Sequence, residues 1–129
     1  MTLWYLDTSA ALKLLVDEVE SAALVEAFET AQPDCVATCL LETELRRAVW
    51  RYDGLSQTDV TELLDGISLH EVPPSLFREA GLIPGEGLRS LDSIHLAAAL
   101  RLGVDQLVTY DHRLIAAAKD SGMRTLSPS

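Results

Sequence analysis

The sequence has little cysteine, little lysine and no long uncharged run, and each shortage removes a class of protein. Cys35 and Cys39 are the only thiols, too few for a disulfide framework and wrongly spaced for CxxC, so both read as small buried apolar residues. The longest stretch without an acid, lysine or arginine is Ser93 to Leu100, eight residues, where a membrane-crossing helix needs about 20. Met1 to Asp7 has no basic segment and meets an acid before any apolar run of signal-peptide length. A cytoplasmic protein without membrane association is expected. Positive charge is also scarce: 10 basic residues against 20 acidic ones give a net charge of −10. That argues against a broad basic face for nucleic acid. It leaves a nuclease open, because carboxylates around a divalent metal count as negative in a tally yet are neutralised in the working site. His70, His95 and His112 share no metal-ligand spacing with the cysteines, and no hydroxyl sits in a GxSxG turn, so zinc and serine-hydrolase readings fail. Gly85-x-Gly87 lacks the third glycine of a phosphate-cradling loop.

What is present suits one packed unit. A chain of 129 residues, 48% hydrophobic and 23% charged, fits a single domain over 1–129 and has enough apolar side chain for a core. Leu3 to Leu6 is an apolar run that reads as a buried strand, and Asp7-Thr8-Ser9 opens a helix. Val19 to Ala31 is helix-like, with Val19, Ala22, Ala23, Phe28 and Ala31 on one face. Cys35 to Thr38 reads as a strand, Leu40 to Tyr52 as a helix stopped by Asp53-Gly54, and Ser56 as the cap of a further helix to Leu64. Ile67 to Val72 alternates like a strand, and Pro73-Pro74 opens a short helix through Ala80. The remainder gives a helix from Ser90 to Leu102, a strand from Gln106 to Tyr110, a helix from Asp111 to Ser121 and a last strand at Arg124 to Leu126. Strands separated by helices predict an α/β fold, a three-layer α/β/α sandwich around a mostly parallel sheet. In such sheets ligands gather at the carboxyl ends of the strands.

Several acids stand at that edge. Asp7 directly follows the first strand and Asp111 follows the Gln106 to Tyr110 strand, although each is also a natural helix N-cap. Asp92 shares a helical stripe with Leu88, Leu91, His95, Leu96 and Ala99, so it faces inward and calls for a cation, a proton or a metal. The helix macrodipole offers it a smaller stabilisation of about 0.3–1 kcal/mol. Glu42 and Glu44 lie about 200° apart on their helix, so only one can face the sheet edge. Glu42 has Arg46 at i+4, whereas Glu44 lines up with Leu40, Leu41 and Ala48. Helical spacing prefers Glu44 only mildly.

Tyr5-Leu6-Asp7-Thr8-Ser9-Ala10, Glu44-Leu45-Arg46-Arg47-Ala48, Leu91-Asp92-Ser93-Ile94-His95-Leu96-Ala97 and Val108-Thr109-Tyr110-Asp111-His112-Arg113-Leu114, in that order, resemble the four signature segments of PIN-domain ribonucleases, in particular VapC-type toxins of toxin–antitoxin modules. The resemblance implies a Rossmann-like PIN fold, divalent-metal-dependent RNA cleavage, a homodimer or a toxin–antitoxin hetero-oligomer, and a small antitoxin as partner. Carried over by position, Asp7, Glu44, Asp92 and Asp111 form an acidic quartet, which selects Glu44 over Glu42. Thr8, Ser9 and Thr109 match hydroxyl positions that orient a carboxylate or a coordinated water.

Mg²⁺ and Mn²⁺ choose oxygen ligands, and four acids are ample for one or two ions. Asp7 and Asp92 are expected to bind the principal ion and Glu44 and Asp111 to complete its surroundings. Without metal, the crowded carboxylates are expected to raise at least one pKa. Water then attacks the phosphate with no protein nucleophile, and the resemblance implies 5′-phosphate and 3′-hydroxyl ends. Arg46, Arg47, Arg89 and Arg113 are candidates to hold substrate phosphates. His95, three residues after Asp92, is expected to be a hydrogen-bonded support rather than a general base. A haloacid-dehalogenase-type phosphatase needs a second Asp where Ser9 stands. The alternative from another class is a catalytically weak interaction module whose acidic groove receives a basic antitoxin segment.

Overall fold

The computed structural model describes residues 2–129. Strand β1 (Leu3–Leu6) feeds α1 (Thr8–Leu15) and α2 (Ser21–Ala31), and β2 (Asp34–Thr38) feeds α3 (Cys39–Ala48) and α4 (Gln57–Asp65). Then β3 (Ser68–His70) leads into α5 (Pro74–Leu82) and α6 (Ser90–Leu102), β4 (Gln106–Val108) into α7 (His112–Asp120), and β5 (Thr125–Leu126) closes the order. The alternation of elements follows the sequence expectation throughout.

The sheet runs β3-β2-β1-β4-β5, and every pairing is parallel. Because β-α-β crossovers are right-handed, stepping from β1 to β2 to β3 puts their connecting helices on one face. The return to β4 and the step to β5 put theirs on the other. The packing agrees, with α1 to α4 against one another and α5 to α7 forming a second group. The direction of winding reverses between β1 and β4, so the crevice at their carboxyl ends is the topological switch point. Asp7 leaves β1 there, and Thr109 to Asp111 leave β4 there.

Central strands covered on both faces need apolar side chains on both sides. Trp4, Tyr5, Leu6, Val36, Ala37, Leu107 and Val108 are accordingly all buried. Helix ends are set locally. Ser56 and Asp59 form a reciprocal capping box at the start of α4, Pro73-Pro74 opens α5, and Gly103 ends α6 in the left-handed region at φ 65°.

Several expectations need correction. Helix α2 begins at Ser21 and turns the fully buried Leu24 inward along with the expected Phe28, which packs on Trp4, while Val19 lies before the helix and is 95% exposed. The Ser21 hydroxyl donates to the Val16 carbonyl and accepts the Glu18 amide, and Lys13 binds Glu18 and Glu20, so residues 16–20 form a closed turn instead of helix. Helix α3 stops at Ala48, with turns replacing the expected helix up to Tyr52, and Leu91 is 46% exposed on α6. Cys39 is exposed and Cys35 half-buried, so the thiols are not both the small buried residues expected; burial raises the Cys35 thiol to about 11.

Candidate active site

Asp7 is buried, and its position follows from the end of β1. Its backbone leaves the strand while its carboxylate caps α1, with Oδ1 accepting the Ala10 amide at 2.9 Å. The Ser9 hydroxyl donates to the same carboxylate, 2.8 Å from Oδ1 and 3.0 Å from Oδ2, and Thr109 donates to Oδ2 at 2.5 Å. Thr109 also accepts the Asp111 amide at 3.1 Å, and Ser9 accepts the Tyr110 amide at 2.9 Å. These two hydroxyls therefore tie the end of β1 to the end of β4. Burial pushes the Asp7 carboxyl above its ordinary value, against the lowering pull of Thr109, Ala10 and Ser9.

Glu44 projects from α3, and His95 from α6 meets it, Nε2 to Oε1 at 2.6 Å. Its carboxyl is raised by burial, but the hydrogen bond and charge of His95 outweigh that and leave it below the ordinary value, with help from Thr8. The Thr8 Oγ1 is buried and has no hydrogen-bond partner of adequate geometry. Glu42 instead pairs with Arg46 at 2.9 Å on the outer side of α3. Asp111 caps α7, with Oδ1 accepting the amides of Arg113 at 2.9 Å and Leu114 at 3.0 Å.

Asp92, in the first turn of α6, joins these groups electrostatically. Its carboxyl is raised first by burial, then by the charge of Asp111, with His95 pulling the other way and Asp7 and Glu44 adding to the rise. Asp92 thus lies within the field of the other three acids. Among the described residues none of the four is paired with a lysine or arginine, and the one basic partner is His95 on Glu44.

This donor set fits a hard divalent cation, since it is entirely oxygen and buried negative charge without a basic partner is costly. The side chains do not converge on one point, however. Among the described residues no three acid, histidine or cysteine side chains come close enough to form a metal shell. The cause is visible in the bonds above, because Asp7, Glu44 and Asp111 are turned toward Thr109, His95 and the α7 amides. A cation there would compete with those donors for the same oxygens.

The basic candidates separate. The Arg46 guanidinium holds Glu42, Gln57 and Thr61 and so clasps α3 to α4. Arg47, Arg89 and Arg113 are exposed and form no ion pair among the described residues; the Arg113 side chain lies over Gly87. Tyr5 was not singled out in the sequence. Its signal was its place two residues before Asp7, which puts both on one face of the strand, together with the need of a buried phenol for a partner.

A parallel sheet in this order, with carboxylates at the strand ends on either side of its switch point, defines a class. Residues 4–120 match the PIN domain family, and the chain belongs to it. Within that family its relatives are VapC proteins of Mycobacterium tuberculosis. It is 42% identical to Ribonuclease VapC46 over 97% of each chain and 40% identical to Ribonuclease VapC47 over 96% of each. Solved structures share the fold at low identity. A toxin–antitoxin complex from Klebsiella pneumoniae superposes with a TM-score of 0.74 at 16% identity, covering all of this chain and 98% of that one. VapC20 of M. tuberculosis, a sarcin–ricin loop cleaving toxin, gives 0.71 at 14% identity over 88% of this chain and 94% of its own.

Proposed function

We propose that the protein is a divalent-metal-dependent endoribonuclease, the toxin of a toxin–antitoxin module acting in the cytoplasm. The observation that carries this reading is that the Asp92 carboxyl, at the sheet's switch point, is raised first by burial and then by the charges of Asp111, Asp7 and Glu44, while among the described residues no lysine or arginine is paired to any of the four. The relatives named Ribonuclease VapC support it.

In this reading Asp7 and Asp92 supply the principal oxygen ligands, and Glu44 and Asp111 complete the surroundings. Mg²⁺ or Mn²⁺ bound there would lower the pKa of a water and offset charge building on the scissile phosphate. The residues' own work is positional. Ser9 and Thr109 hold the Asp7 carboxylate in one orientation, and the Asp111 amide is held by Thr109 in turn. Asp92, free of the hydrogen bonds that hold the other three, is the acid most available to a cation. Arg47, Arg89 and Arg113 remain the candidates for substrate phosphates, while Arg46 is engaged between helices. A small antitoxin is the proposed protein partner, in keeping with the toxin–antitoxin complexes among the structural neighbours.

Purified, antitoxin-free protein incubated with total RNA and Mg²⁺ or Mn²⁺ tests the reading. Discrete cuts with 5′-phosphate ends, absent with chelator and in Asp7→Asn, are expected. Folded, metal-binding protein that leaves all RNA intact would favour an interaction module, and 2′,3′-cyclic phosphate ends would refute the water-attack mechanism.

A further inference from the structure

Behind the acids lies a second hydrogen-bonded chain. The Tyr5 hydroxyl on β1 meets His95 Nδ1 on α6 at 2.7 Å, and His95 Nε2 meets Glu44 Oε1 on α3 at 2.6 Å. Tyr5 is fully buried and His95 is 1% exposed. Their rings pack edge to face, 5.6 Å between centroids at 70°. The three elements joined are the ones that carry Asp7, Asp92 and Glu44.

We propose that Tyr5 and His95 are positioning residues that hold Glu44 for metal binding through its second carboxylate oxygen; this rests on the reading of the four acids as a metal site. The directions of the bonds follow from donor and acceptor chemistry. An ionised carboxylate only accepts, so the hydrogen of the bond between His95 and Glu44 sits on Nε2. A phenol is protonated at neutral pH, so in the neutral imidazole Tyr5 donates to Nδ1. Each ring nitrogen is then satisfied, and the tautomer is fixed from the strand side. The result for Glu44 is that Oε1 is committed to His95 and Oε2 is not. A carboxylate held in this way presents one oxygen to a cation, in one rotamer, without the entropy of a free glutamate. Asp7 is held more fully, with Ser9 and the Ala10 amide on Oδ1 and Thr109 and Ser9 on Oδ2.

The test is Mn²⁺ affinity by titration calorimetry, with unfolding curves to confirm the fold of each variant. Gln at position 95 can keep a donor where Nε2 stands, whereas Asn is too short to reach Glu44. His95→Gln is expected to bind Mn²⁺ within about threefold of wild type, and His95→Asn to bind about 10–100-fold more weakly. In a Glu44→Gln background the same His95→Asn change is expected to cost less than about threefold, because the residue it acts through is gone. Tyr5→Phe keeps the volume and the fold and is expected to weaken Mn²⁺ binding severalfold. Equal loss from His95→Asn in both backgrounds, or wild-type affinity in His95→Asn, overturns the proposal alone. Wild-type protein that binds no Mn²⁺ overturns it together with the metal-site reading. Nitrogen-15 NMR of histidine-labelled, metal-free protein gives an independent readout: Nε2 of His95 is expected to carry a hydrogen, and a bare Nε2 overturns the relay.

Discussion

Replacing Thr109 by valine removes one oxygen and almost no volume from the fully buried centre of the site. The lost oxygen donates to Asp7 Oδ2 at 2.5 Å and accepts the Asp111 amide at 3.1 Å. A hydrogen bond to a charged group contributes about 1.5–3 kcal/mol, and the half-buried amide left behind adds a smaller cost, for a total near 2–4 kcal/mol. At about 4 °C per kcal/mol for a domain of this size, the metal-free protein should unfold roughly 8–16 °C lower. Thr109→Ser keeps the hydroxyl and loses one methyl, worth about 0.8 kcal/mol. The assay is differential scanning calorimetry in chelator at pH 7, with both variants beside wild type. The deficit of Thr109→Val should shrink on acidification, since a protonated Asp7 no longer presents a charge to the missing donor. A Thr109→Val loss under about 1 kcal/mol, or equal losses for Val and Ser, would refute the assignment of Thr109 as the holder of Asp7.

Further outcomes follow from the same geometry. Asp92→Asn should stabilise the metal-free protein at pH 7 and abolish the rise in Tm that Mg²⁺ gives wild type, a rise of about 2.7 kcal/mol in stability at 100 times Kd; thermal scans with Mg²⁺ and with chelator check both signs. Raised carboxyls contribute stability below their ordinary pKa of 3.8 that is lost as pH climbs through their raised values, so the advantage of Asp92→Asn over wild type should be absent near pH 3 and grow upward. Glu44, held low, works oppositely, losing its contribution as pH falls through its lowered value, and urea midpoints of Glu44→Gln against pH should converge with wild type in acid. Leu24→Ala should cost about 2–5 kcal/mol in urea unfolding, whereas Val19→Ala should cost nothing measurable. If RNA binds as proposed, Arg113→Ala should lower the salt slope of binding by about 1, while Arg46→Ala should leave that slope unchanged.

The sheet, its helices and their order were legible because apolar runs and turn residues are local signals, and because a chain alternating strand and helix has few ways to wind. The position of Asp7 was legible for the same reason, as the residue after a strand, and that of Asp111 from the same strand-to-helix passage, although β4 ends at Val108 and not at the expected Tyr110. Helical spacing favoured Glu44 over Glu42 only mildly, since what distinguishes them is a bond to His95, 51 residues away in the chain. The face of α2 was misread because Ala22, Ala23 and Ala31 suit core and surface alike, and because the clasp of Lys13 on Glu18 and Glu20 takes Val19 out of the helix. Nor could composition show that Arg46 is spent on Gln57 and Thr61, contacts made only when α3 and α4 fold back on each other.

The most direct test of the four-acid site is a crystal grown with Mn²⁺ and measured for anomalous scattering. The account predicts one or two peaks among Asp7, Glu44, Asp92 and Asp111, with Asp92 as a direct ligand and the Asp111 carboxylate turned from the α7 amides toward the ion. Peaks elsewhere on the molecule, with the four carboxylates still bound to Thr109, His95 and the amides, would contradict it.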